Sequence, residues 1–540
     1  MRLFNFFTAL LLLPLSVMAA SSVWTGKVAE KFASGKGETN NPYVIETAEQ
    51  FALMAQQCHL GEYFRLDADI VLNEGDAKDW AKNAPKNTWK VPCDTTNPAR
   101  LYLDGGGHSI SGLYINSKLD YRGLFGVLFG GVQDLVIKNA YVKGGSTVGT
   151  LAGAYVSDSL VLSRNIIQNV SVEDAIVEGV DMVGGLVGTA GMVWKTGVPP
   201  HNYNYTVSRH SIIGPSIIRD VSVTGSVSGQ EVVGGIVGLW RVGNAFPNRG
   251  AAAAKILNVV NRASVKGSVH VGGIFAYLFK DWSNNDYYVA FTNAINYGDI
   301  EGDSIVAGIT PKLSMIEYEG TPISEESSGI LKNFANLGNV TARTAVCGLI
   351  SALSSGTKYG YNAGKVTGNS TAVCYSAGHH FYDLHEEHAD SILQYADSLG
   401  ACFIPDTGKT LYNKGYPLIA YWHKDKVFDD GSGTEDDPFL IKNLHDLRRF
   451  EHHAEYDFDR GDEYVYYRQE ADIELPKTEN NWVPVNVELV DYNGGGHSIS
   501  NLNITDSNIN LDSIFEVSEK IKGVESFVNA RSYRSDIGCF

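Results

Sequence analysis

"NVSVEDAIVEGVDMVGGLVG" (169–188), "DVSVTGSVSGQEVVGGIVG" (220–238), "NVVNRASVKGSVHVGGIFA" (258–276), "NAINYGDIEGDSIVAGIT" (293–310) and "NFANLGNVTARTAVCGLIS" (333–351) are copies of one pattern. Weaker copies flank them at 134–153 and 360–378. Each opens on Asn or Asp or a residue in its place, alternates apolar residues over a short run, and closes on a glycine pair or its equivalent. From the opening residue to the first member of that pair is 14 positions for Asp220, Asn258, Asn293 and Asn333, and 15 for Asp134 and Asn169. The interval between whole copies ranges from 27 to 50 residues. A constant core with inserts of changing length is the mark of stacked rungs with loops on one side.

Within a core, Val170, Val172, Ala175 and Val177 alternate with polar neighbours, and no 3.6-residue period is sustained. These are short strands broken at Gly and Asn. Strands this short bury their inward faces only by stacking on the next copy. The expected fold class is mainly β, a parallel β-helix or solenoid covering about 101–376, which leaves open edges only at its two ends. In that register Asn258, Asn293 and Asn333 stack in one turn ladder with Asp220 beside them.

A longer repeat frames the body. "DGGGHSIS" (104–111) returns as "NGGGHSIS" (493–500), "GKGETNNPYVI" (35–45) as "GSGTEDDPFLI" (431–441), and "DADIVL" (67–72) as "EADIEL" (470–475). A module starts near Trp24 and a partial second copy near Phe428. The glycine string lacks the Lys and following helix of a phosphate cradle, so it reads as turn geometry, with His108 and His497 as turn residues. "TAEQFALMAQQC" (47–58), with Thr47 as N-cap and Gln50 three on, reads as a helix covering the open end. "NLHDLRRFEHHA" (443–454) is its counterpart. The expected organisation is a signal peptide over 1–20, an N-terminal capping region over 21–100, the solenoid with its closing segment over 101–427, and the partial module over 428–540.

The strings "VGGLVG" (183–188), "VGGIVG" (233–238) and "VGGIFA" (271–276), opened by "LDGGGHSISGLYI" (103–115) and closed by "YNKGYPLIAYW" (412–422), resemble the GLUG-motif proteins of bacterial surfaces. That resemblance implies a right-handed parallel β-helix of the pectin-lyase-like type with short capping helices. It also implies a secreted or surface setting, as in adhesin-like chains and the non-catalytic region of some immunoglobulin A-cleaving metallopeptidases.

The first 20 residues, with Arg2, an apolar run and Ala19-Ala20, have the form of a secretory signal peptide. No later apolar run is long enough to span a bilayer, so no transmembrane segment is expected after cleavage. Net charge is -18, which disfavours nucleic acid and anionic lipid as partners. The six cysteines lack paired zinc spacing. Cys347 and Cys374 sit at equivalent places in successive copies and form a candidate disulfide.

Aromatic and charged residues in the inserts after the glycine strands, namely Trp194, Tyr203, Trp240, Arg241, Trp282, Tyr287 and Tyr288, are the candidate ligand-binding set. They suit sugar rings or a surface protein, though the same side chains could instead pack the loops onto the rungs. His380, Asp383, His385 and His388 are weak metal candidates. Their spacing is neither H-E-x-x-H nor H-x-x-E-H, and a polar capping helix accounts for them equally. No stacked carboxylate pair lines up for glycoside hydrolysis. The expected function is therefore a non-catalytic, adhesin-like binding protein for an extracellular polysaccharide or surface partner, with no cofactor. The alternatives are a polysaccharide lyase or glycoside hydrolase of the same fold, and the scaffold portion of a larger surface peptidase.

Overall fold

The residue that opens each repeat sets the shape of the rung. Asp134, Asn169, Asp220, Asn258, Asn293 and Asn333 all hold a left-handed backbone, with φ between 50° and 65°. Asn and Asp reach that region more easily than other side-chain-bearing residues. The kink resets the alternation, so that Ile167 and Val170, three apart, both point inward. The computed structural model that shows this describes residues 22–502 apart from 96, 157–165, 195–210, 214–215, 243–252, 281–287, 312, 316–329, 351–356, 369, 372–380, 386–402, 405, 407–412, 420–427, 429, 445, 448–449, 451–463 and 478–489.

Successive repeats pair in parallel and in register. Val170 lies opposite Val221, Val221 opposite Val259, Val259 opposite Ala294, and Ala294 opposite Phe334. The result is a mainly β, solenoid-like stack with one broad sheet and two narrower six-stranded sheets. One narrow sheet, the motif sheet, runs from Val183–Gly184 to Ser370–Thr371 through the glycine-pair strands. The other, the return sheet, runs from Phe125–Leu128 to Leu313–Met315. A continuous apolar core, including Val183, Val233, Val271, Val306 and Val346, fills the stack.

The one-residue difference in repeat spacing has a local cause. Between Val172 and Ala175 the register against Val223 and Gly225 shifts by one, a bulge at which Asp174 takes a φ of 53°. Between those pairs the first strand holds two residues where its neighbour holds one, which is the fifteenth position.

The second glycine of each pair is required by the next rung. A methyl group on Gly235 would stand 2.1 Å from the Gly273 carbonyl oxygen, and one on Gly273 would stand 1.9 Å from that of Gly308. The same methyl groups would strike the side chains of Asn261 and Asn296. The first glycine is required only where the chain reverses at once. At Gly234 and Gly272 the return strand starts three residues on, and a methyl would meet the Val237 or Phe275 carbonyl within the same rung. Ala307 and Cys347 replace it in later copies, and the return strand after Ala307 starts only at Leu313.

The parallel ladder begins earlier than residue 101. Tyr43–Ile45 pairs with Glu62–Leu66, which pairs with Leu101–Asp104. The sequence of the first two of these rungs carries no glycine pair, so the repeat pattern does not reach them. Helix α1 (Ala48–Gln57) closes the end. The Thr47 hydroxyl accepts from Gln50 N, and the Gln50 side chain accepts from Glu46 N. The second copy repeats this cap: Asn443 accepts from Asp446 N, and Asp446 accepts from Lys442 N. The glycine strings also match. Asp69 accepts from the amide and hydroxyl of Ser109, and Asp472 does the same for Ser498. Those two bonds hold the Asp472 carboxyl below its ordinary pKa. At Asp69 burial pulls the other way and the Ser109 bonds still prevail. The string is therefore a turn in both places.

A disulfide joins Cys58 to Cys93. The spacing of the six cysteines did not single it out. Cys347 is also disulfide-bonded, and Cys374 lies outside the described residues.

Candidate binding face

The left-handed turns form a hydrogen-bonded ladder along the broad sheet. The Asn169 amide donates to Asp134 at 2.6 Å, Asn258 to Asp220 at 3.0 Å, Asn293 to Asn258 at 2.8 Å and Asn333 to Asn293 at 2.9 Å. The expected stack of Asn258, Asn293 and Asn333 above Asp220 is what the structure contains. A second ladder was not expected. Asn261 donates to Asn296, Asn296 to Asn336, Asn336 to Asn362, and Asn362 to Asp383, at 2.7 to 3.1 Å. Its four asparagines are fully buried. The signal was the Asn-x-x-Asn spacing of "NVVN", "NAIN" and "NFAN".

The two ladders point in opposite directions along the stack. A carboxylate accepts and does not donate, so Asn258, Asn293 and Asn333 of the first ladder turn their NH2 groups toward Asp220, as Asn169 turns its own toward Asp134. Those of the second turn theirs toward Asp383. Asp383, one of the weak metal candidates, terminates this ladder and also accepts from the His385 amide at 3.3 Å. The His385 ring lies 3.3 Å from the Ala363 carbonyl. His380 and His388 lie outside the described residues, and no group of metal-holding side chains occurs among the described ones.

The aromatic set does not assemble as expected. Trp240 is fully buried and Arg241 is 1% exposed. The return strand Val237–Val242 runs beyond the glycine motif, and Trp240 takes its inward position opposite Ala190 and Leu278. Its indole donates to the Ser216 hydroxyl at 2.9 Å and packs edge-on against Phe275 and Phe291. Trp240 joins the main core together with Val237, three residues earlier, while Leu239 between them belongs to an outer cluster, so the simple alternation of the strand is reset after Val237. Tyr288 begins a core strand, Tyr288–Asn296, and so is not an insert residue. Trp194 sits in a short antiparallel hairpin opposite Ser211. Tyr203, Trp282 and Tyr287 lie outside the described residues. The return sheet offers no described face at all, since its outward Val127, Ala154, Thr189, Leu239 and Tyr277 are also buried.

The broad sheet is different. Its outward positions over three rungs carry a polar lattice: Gln133, Gln168 and Arg219 in one row, Ser171 and Ser222 in another, with Asp134, Asn169 and Asp220 between them; on the next rung Leu257 and Val260 take the places of Arg219 and Ser222. Arg219 donates to Gln168 at 2.7 Å, and the Ser171 and Ser222 hydroxyls are 2.9 Å apart. Lys255 lies on that next rung opposite Ile217, two residues off the Arg219 row, where burial and then the positive charge of Arg219 lower its pKa. Rungs repeat every ~4.8 Å, so this face offers regularly spaced donors and acceptors to an extended ligand.

Further along, the same face is covered. Ile295, Ala335 and Tyr361 are buried in an outer apolar cluster with Phe403, Ile404, Leu418 and Ile419. Phe403–Ile404 and Leu418–Ile419 form an antiparallel hairpin. The Tyr361 hydroxyl donates to the Pro417 carbonyl and accepts from Asn413. Burial, with Tyr297 beside it, raises its pKa well above the ordinary value. The closing segment therefore lies against the side of the stack, and the polar lattice stands on the rungs before it.

No family model matches the chain. It is 31% identical over 160 residues to "Halomucin" of Haloquadratum walsbyi, a match covering 29% of this chain and 2% of that protein. It is 32% identical over 148 residues to a "Putative Gly-rich membrane protein" of Evansella cellulosilytica, covering 26% of this chain and 16% of that one. The chain thus spans a small fraction of the curated relatives it matches. A solved structure from Bacteroides ovatus, described as a "putative immunoglobulin A1 protease", aligns over 72% of this chain and 95% of that one at 18% identity, with a TM-score of 0.39. No helix among the described residues is long and apolar enough to cross a membrane.

Proposed function

We propose that this chain is an exported, surface-located and non-catalytic binding protein of the GLUG type, a right-handed parallel β-helix that holds an extended glycan on the outer face of its broad sheet. The observation that carries this reading is the polar lattice of Gln133, Gln168, Arg219, Ser171 and Ser222, in register over three successive rungs of the broad sheet. Stacked rungs with regular polar spacing match polymers of regular repeat, and solenoids bind along such faces. Two cationic side chains, Arg219 and Lys255, on a chain of net charge -18 favour a polymer bearing carboxylate or sulfate groups. The partial likeness to a "Putative Gly-rich membrane protein" supports the surface setting.

The test is an array of neutral and acidic polysaccharides probed with the full mature chain, run beside an assay for released sugar products. Acidic polymers should bind without product release. Arg219→Ala with Lys255→Ala should weaken binding by about tenfold or more, because a hydrogen bond from a charged donor to the polymer is worth about 1 kcal/mol or more. Product release, or unchanged binding by the double variant, would overturn the reading.

A further inference from the structure

The first ladder is broken once. From Asn333 through Asn293 and Asn258 each side-chain NH2 donates to the rung before it, and Asp220 receives the last of these bonds. One rung earlier the ladder starts again, with Asn169 donating to Asp134 at 2.6 Å. Asn169 stands opposite Asp220, since Gln168 pairs with Arg219 and Val170 with Val221. Asn169, Asp220 and Asn258 share the same left-handed backbone, with φ of 50°, 55° and 56°, so the main chain does not cause the break. The side chain at 220 does: a carboxylate has no N–H to give to Asn169.

The orientation of the Asn169 amide is fixed, because Asp134 can only accept from its NH2. Its oxygen therefore turns toward the Asp220 rung, about 4.8 Å away, just as the Asn258 oxygen turns toward Asn293 and accepts from it. The Asn169 oxygen accepts from no group among the described residues, and Asn169 is exposed. This open acceptor lies inside the polar lattice, between the Gln168–Arg219 row and the Ser171–Ser222 row. Arg219 is next to it, with its Nε 3.9 Å from the Asp220 carboxylate. An Asn at position 220 would run the ladder unbroken from Asn333 to Asp134. The chain instead places a carboxylate there and leaves one acceptor facing outward.

We propose that the Asn169 oxygen accepts from a hydroxyl group of the bound polymer, and that Asp220 is the positioning residue that keeps this acceptor open. The inference rests on the glycan reading of this face and narrows it. With Arg219 beside the acceptor, the ligand presents an acidic group and a free ring hydroxyl side by side, which is the chemistry of a uronic acid polymer.

The experiment measures binding of the full mature chain to alginate, a uronic acid polymer with free ring hydroxyls, and to polyglutamate, which carries carboxylates and no hydroxyls. Asp220→Asn supplies the missing NH2 and satisfies the Asn169 oxygen from within the ladder. It also removes a negative charge beside Arg219, which by charge alone would tighten binding of any polyanion. The expected result has the opposite sign for alginate, bound about threefold to tenfold more weakly, while polyglutamate binds no more weakly and the denaturation midpoint rises. Asn169→Gly keeps the left-handed turn and leaves Arg219 and Asp220 in place. It should weaken alginate binding over the same range without the rise in midpoint. Alginate binding that is unchanged or tighter in Asp220→Asn, a midpoint that fails to rise there, or alginate binding unchanged in Asn169→Gly would overturn the inference. The glycan reading survives any of these so long as Arg219→Ala with Lys255→Ala weakens alginate binding. A parent chain that does not bind alginate, or binding indifferent to that double variant, overturns both.

Discussion

At the scale of single residues, Trp240 shows how burial reassigns chemistry. Its ring fills the stack between Ala190 and Leu278, with its one polar atom bonded to Ser216. Trp240→Ala should therefore cost stability, about 3–5 kcal/mol, seen as a lower denaturation midpoint. A midpoint unchanged from the parent chain would contradict the core placement. Asn296 is the same lesson from the polar side. It is buried because both its amide groups are spoken for, by Asn261, Asn336 and the Gly298 carbonyl. An alignment of the repeats displays Asn261, Asn296 and Asn336 in one column. Only the rung stacking says that the column points inward, against the glycines.

At the scale of the element, the two glycines of the motif do different work. Gly273→Ala places a methyl group against the Gly308 carbonyl and the Asn296 side chain, and the rung has no slack in which to move. It should destabilise by about 1–3 kcal/mol or more. Ala307→Gly, at the first position of a copy whose return strand starts late, removes a small side chain without relieving any clash and should change stability by less than about 1 kcal/mol. Equal effects of the two substitutions, measured by denaturant unfolding, would show that the asymmetry between the two positions is misjudged. The bulge at Asp174 belongs to this scale too. The fifteenth residue was visible in the repeat spacing, but its meaning as a register shift needed the partner strand.

At the scale of the whole molecule, each rung touches its neighbours along one axis, so stability propagates through interfaces between rungs. Asn296→Ala breaks the buried ladder in mid-stack and leaves the side-chain amide of Asn261 and the side-chain oxygen of Asn336 each short of a bond, at about 1–3 kcal/mol for each orphaned group. Unfolding should then separate into two transitions, one for the rungs before the break and one for those after. A single transition, merely shifted, would mean that the stack unfolds as one unit. Repeat spacing, short alternating strands and the Asn and Gly positions by themselves determined a parallel stack with a left-handed turn ladder, since those patterns are properties of the chain's own period. The duplicated cap and turn strings were legible for the same reason. What only the tertiary structure decided is which residues the stack covers. Trp240 went into the core and Arg241 was covered, Asp383 became the end of a ladder, the closing segment lay along the flank, and Cys58 met Cys93 across 35 residues of sequence. Each depends on what a neighbouring rung or a distant segment places against a residue, and period alone carries no record of that.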